Sequence, residues 1–131
     1  MAVVAGGGLG ALLRWAIGLL IVVPQGSFPL ATFVVNVTGA FGLGVAAIVL
    51  TERMAPTRYL RQLIAVGFFG AYTTFSTMAV EGVRLIEKGR VGTAVTYWML
   101  TLILGQMAGV YGMWLGRMEV LGKWSSHEAG G

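Results

Sequence analysis

Gly67-Phe68-Phe69-Gly70-Ala71-Tyr72-Thr73-Thr74-Phe75-Ser76-Thr77-Met78 is the stretch on which the fold turns. Two glycines three apart precede three Thr and one Ser within five positions, a poor composition for a helix interior. Yet the stretch lies inside a largely apolar run from about Gln62 to Val83. Two local structures are open to it. A continuous helix would bond the hydroxyls back onto its own carbonyls. A helix broken near Gly70 to Thr73 would leave amides and carbonyls unpaired, which lipid does not permit. Such groups must line water, pack inside protein or hold an ion. Carbonyl oxygens suit a hard cation such as sodium, and the absence of a carboxylate cage disfavours a divalent ion.

Working outward, three more apolar runs flank this one, from about Val3 to Val23, Leu30 to Leu50 and Thr93 to Leu115. Each is near the roughly 20 residues needed to cross a ~30 Å hydrocarbon core at ~1.5 Å per residue. Pro24, Gly26 and Pro29 mark the first turn, Thr51, Glu52, Arg53 and Pro56 the second, and Arg84, Glu87, Lys88, Gly89 and Arg90 the third. The expected architecture is all-α, with four transmembrane helices and both termini on one side. Residues 1–117 form the membrane unit and 118–131 a polar, flexible tail. The first run lacks a basic start, is long enough to span, and carries Arg14 at its centre, so it does not resemble a signal peptide.

The composition agrees. The 131 residues are 56% hydrophobic and 11% charged, with a net charge of +4. The mean hydropathy is +0.81. Soluble domains carry about 25% charged residues, so a soluble enzyme, a nucleic-acid module and a disordered segment are all disfavoured. There is no Asp and no Cys, and the one His is His127. Thiol chemistry, Cys/His zinc sites and Ser-His-Asp triads are excluded. The cations belong in loops at the lipid surface. Arg53, Arg58, Arg61, Arg117 and Lys123 fall on the side of the termini; Arg84, Lys88 and Arg90 fall on the other. Five against three sets orientation weakly. It fits termini in the cytoplasm, or insertion both ways to form an antiparallel pair.

Glycines form stripes: Gly105, Gly109, Gly112 and Gly116 on the fourth span, Gly6, Gly10 and Gly18 on the first, and Gly39, Gly42 and Ala46 on the second. Such stripes let helices approach closely, either within one chain or across a homodimer. Polar residues at membrane depth are also patterned. Arg14 costs about 3 kcal/mol on insertion scales. It can pair with Glu81 or face an aqueous vestibule. Thr32 and Asn36 share a helix face, whereas Thr38 can bond back to its own helix. Thr93, Tyr97 and Thr101 recur every four residues, as a hydroxyl track along a pore would.

Three motifs together resemble the Fluc (CrcB) family of fluoride channels. They are Gly7-Gly8-Leu9-Gly10-Ala11 with Arg14, Val35-Asn36-Val37-Thr38-Gly39-Ala40-Phe41, and Gly67 to Thr77 followed by Glu81. The resemblance covers roughly residues 5 to 116. It implies a dual-topology homodimer with two antiparallel pores, exporting cytoplasmic fluoride passively across a bacterial inner membrane. It implies a sodium ion on the two-fold axis, held by the backbone carbonyls of Gly70 and Thr73. Asn36 matches the pore-lining Asn and Phe75 the first aromatic of a phenylalanine pair, whose second position here is Met78. Thr32, Ser76, Tyr97 and Thr101 match the polar track, and Arg14 and Glu81 match charged positions. A proton-coupled four-helix multidrug exporter would need a deep carboxylate in the first span, where this chain has Arg14. A noncatalytic scaffold would explain the glycines but not the aligned hydroxyls.

Overall fold

The computed structural model describes residues 1–53 and 58–128, and every described element is helical. The elements are α1 (Ala2–Leu20), α2 (Leu30–Ile48) with a π turn at Val49–Arg53, α3 (Arg58–Arg61) with a π segment at Gln62–Phe69, α4 (Gly70–Tyr72), α5 (Phe75–Glu87) and α6 (Val91–Glu128). Pro56, expected to mark the second turn, lies outside the described residues. Four segments are long and apolar enough to cross a bilayer: Ala2–Leu20, Leu30–Thr51, Arg58–Glu87 and Val91–Met118. The third starts four residues earlier and ends four later than its apolar run. Arg58, Arg61, Arg84 and Glu87 account for the difference, since long charged side chains at helix ends reach back to water. Helix α6 continues past Arg117 to Glu128.

The turns follow from local chemistry. After α1, Ser27 N–H donates to the Pro24 carbonyl at 3.1 Å, and Gly26 takes φ +83°. After α5, Gly89 at φ +73° donates to Ile86 and Arg90 donates to Leu85, both at 2.8 Å. That pair of bonds is a Schellman ending, which needs a left-handed residue at the first.

The spans pair in parallel, odd with odd and even with even. Helix α1 lies along the π segment and α4, and α2 lies along α6. Glycine sets both separations. A Cβ at Gly6 would stand 2.0 Å from the Leu63 carbonyl oxygen, and one at Gly10 2.2 Å from that of Phe68. On the other pair, a Cβ at Gly44 would stand 2.3 Å from the Gly109 oxygen, and one at Gly112 2.3 Å from that of Phe41. These glycines are therefore spent inside the chain. Gly18 and Gly105, by contrast, meet nothing within 4 Å. A small core of Met78, Leu85, Ala94 and Tyr97, flanked by Phe28, Phe33 and Trp98, joins α5 to α2 and α6. The outward surface carries Leu12, Trp15, Leu20, Val80, Met107 and Trp114, as a chain surrounded by lipid requires.

Candidate functional site: an interrupted span and a polar cavity

Backbone geometry in the third span changes at two threonines. Thr73 has φ −77° and ψ 156°, and Thr74 has φ −150° and ψ 115°, both extended. Thr73 N–H still reaches back to Phe69 at 3.1 Å. Thr74 caps α5, its Oγ1 accepting from Thr77 N–H at 3.2 Å. The Asn36 amide crosses from α2 and pairs with the Thr74 backbone twice. Nδ2 donates to the Thr74 carbonyl at 3.1 Å, and Thr74 N–H donates to Oδ1 at 2.8 Å. Gly39, three residues on from Asn36, provides room for this junction, because a Cβ there would stand 2.3 Å from Thr73 Cγ2.

Beside the junction lies an open cavity of about 840 Å³. Arg14, Thr32, Thr74, Thr77, Glu81, Arg84 and Lys88 line it, with the Ile21–Ser27 turn at its edge. Three cations and one carboxylate make it electropositive. Among the described residues Arg14 and Glu81 form no ion pair, so the pairing alternative is replaced by a shared cavity. The Glu81 oxygens are held instead by Thr32, donating at 3.0 Å, and Tyr97, donating at 2.8 Å. Arg84 and Lys88 line this cavity as well as ending the third span. Their spacing of three and seven from Glu81 carries the signal that they share its helix face.

The remaining hydroxyl and aromatic residues divide, and Thr38 makes the expected bond back to its own helix. Thr38 bonds back to Val34 at 2.6 Å, and also meets the Tyr72 hydroxyl at 2.9 Å. Thr101 donates to the Tyr97 carbonyl at 2.6 Å, so its proton is already used within α6. Ser76 is exposed, its hydroxyl 3.3 Å from that of Thr74. Phe75 is 74% exposed, whereas Met78 is 5% exposed inside the core. The two positions are three apart on α5, yet packing of α5 on α6 gives them different surroundings. Trp98, which the sequence did not single out, donates to the Met78 carbonyl at 3.2 Å, and its indole fills the space over Gly82.

A four-span helical bundle with a polar, electropositive cavity beside an interrupted helix has the form of a membrane protein that handles ions. The chain belongs to the CrcB family: the family described as "CrcB-like protein, Camphor Resistance (CrcB)" matches residues 1–113. It is 44% identical over 119 residues to a Streptomyces avermitilis protein named fluoride-specific ion channel FluC 3, covering 91% of this chain but 58% of that longer protein. It is 45% identical to fluoride-specific ion channel FluC of Acidobacterium capsulatum, covering 90% of this chain and 95% of that one. FluC 2 of Nocardia farcinica is 46% identical over 84% of this chain and 78% of its own.

Proposed function

We propose that this chain is the subunit of a fluoride-selective passive channel, a homodimer of antiparallel chains carrying two pores. The observation that carries this is the agreement, over about nine-tenths of the chain, with relatives named fluoride-specific channels. The chemistry supports it. Fluoride is small and strongly hydrated, so its water must be replaced by donors. Arg14, Arg84 and Lys88 raise the anion concentration in the cavity that serves as entrance. Beyond it, the exposed Phe75 has a ring edge of partial positive charge to offer, while its apolar face keeps the path narrow. Export follows from the membrane potential, which drives an anion out of the cytoplasm through an open path. No enzyme activity belongs to this reading, since the relatives are named as channels.

The interrupted span fits a structural sodium ion. The change of direction after Tyr72 turns the Gly70 and Thr73 carbonyls out of helical pairing, and neutral oxygens of this kind suit a hard monovalent cation. Gly70 is exposed, with open space where a Cβ would be. A partner can therefore approach it, and two carbonyls from each of two chains would supply four ligands. Such an ion adds fixed positive charge between the pores. The host is the bacterial inner membrane, with subunits inserted in both orientations. Efflux of fluoride from liposomes holding the purified protein tests the function, with chloride and a cationic dye as controls. Equal passage of chloride, or dye transport driven by a proton gradient, would overturn it.

A further inference from the structure

A straight helix through the third span would make a run of four bonds across Thr73 and Thr74 that this chain does not make, and in two of them the donor finds a side chain instead. Thr74 N–H would donate to the Gly70 carbonyl, and Thr77 N–H to that of Thr73, each four residues back. Both donors are redirected. Thr74 N–H goes to Asn36 Oδ1 at 2.8 Å, and Thr77 N–H goes to Thr74 Oγ1 at 3.2 Å. The carbonyls whose donors are captured in this way, those of Gly70 and Thr73, are the two assigned above to sodium.

We infer that Asn36 and Thr74 are positioning residues for the central cation: by capturing these two N–H groups, their side chains hold the Gly70 and Thr73 carbonyls free to bind it. The inference rests on the proposed sodium site. It departs from the role of Asn36 as a pore-lining donor, because the amide oxygen and one of its protons are engaged with the Thr74 backbone. The second Nδ2 proton takes part in neither bond. The geometry also fixes the amide orientation. Exchanging oxygen and nitrogen would set Nδ2 against the Thr74 N–H and Oδ1 against its carbonyl, two repulsions in place of two bonds. Thr74 is buried, so its own N–H has no water as an alternative partner, whereas Thr77 is exposed beside the cavity.

The test is the sodium dependence of thermal unfolding of the full chain in detergent, with N-methylglucamine chloride replacing sodium chloride at constant ionic strength. The midpoint without sodium reports general stability, and the sodium concentration giving half the shift reports the site. Thr74→Val, which keeps the shape and loses Oγ1, is expected to raise that concentration about tenfold, as loss of the acceptor for Thr77 N–H implies. Thr74→Ser, which restores the acceptor, returns it to within about twofold. Asn36→Leu raises it as Thr74→Val does; should that variant fail to assemble, the Thr74 pair decides alone. Wild-type half-saturation in Thr74→Val would overturn the inference and leave the sodium site standing. No sodium dependence in the wild type would overturn both.

Discussion

Tyr97 donates its hydroxyl to Glu81 across 2.8 Å, from the fourth span to the third, at the one carboxylate lining the cavity. Thr32 donates to the other oxygen of the same group at 3.0 Å. One side chain thereby ties α5 to both α2 and α6. Hydrogen bonds to a charged acceptor contribute about 1.5–3 kcal/mol. Tyr97→Phe is expected to lower unfolding stability by about 2 kcal/mol. Thr101→Val, which keeps the buried shape and loses a bond only to its own helix, should change it by less than about 1 kcal/mol. Denaturant unfolding in detergent distinguishes the two, and equal losses would mean that the Glu81 contact is not the tie described.

Phe75 and Met78 make separable predictions. Phe75 touches little of its own chain, so Phe75→Ile should fold and dimerise normally. Fluoride efflux should nearly vanish, because the ring edge is gone. Normal efflux in this variant would mark Phe75 as ordinary packing. Met78→Phe installs the residue that the resemblance implies at this position but adds volume to a filled core beside Ala94 and Tyr97. It should cost about 1–3 kcal/mol of stability while keeping fluoride over chloride selectivity.

Glycine positions differ in what a methyl group meets. Gly10→Ala places Cβ against the Phe68 backbone oxygen and should separate α1 from the third span, lowering the unfolding midpoint by several degrees or preventing assembly. Gly8→Ala meets open space within the chain and should be neutral or slightly stabilising. Thermal unfolding of the two variants compares them, and equal tolerance would show that Gly10 is not a contact point.

Dual topology predicts that a single cysteine introduced at Arg58, which is exposed at the start of α3, labels from both sides of the membrane. An impermeant thiol reagent applied to cells and to inverted vesicles measures this. Labelling from one side only would leave the channel function intact and remove the antiparallel dimer.

Much of the site was legible in residue types, less in their partnerships. The clustering of Gly70, Thr73, Thr74, Ser76 and Thr77 exposed a weak helix, because glycine entropy and competing hydroxyls act locally. Which N–H turns to which acceptor was not legible, since Asn36 lies 38 residues from Thr74. The spacing of Thr93, Tyr97 and Thr101 marked one helix face correctly. It could not tell that the Tyr97 and Thr101 protons are already donated, to Glu81 and to the helix itself.

The amino-acid sequence alone determined the four spans, their approximate ends and the weak point of the third. These depend on transfer into hydrocarbon and on backbone propensity, which sum over neighbouring residues. The tertiary structure decided which glycines bring helices together inside the chain, that Arg14 and Glu81 share a cavity without pairing, and that Phe75 faces outward while Met78 is buried. Those outcomes depend on close contacts between spans, and a contact of a few ångströms is settled by how two surfaces fit rather than by either surface alone.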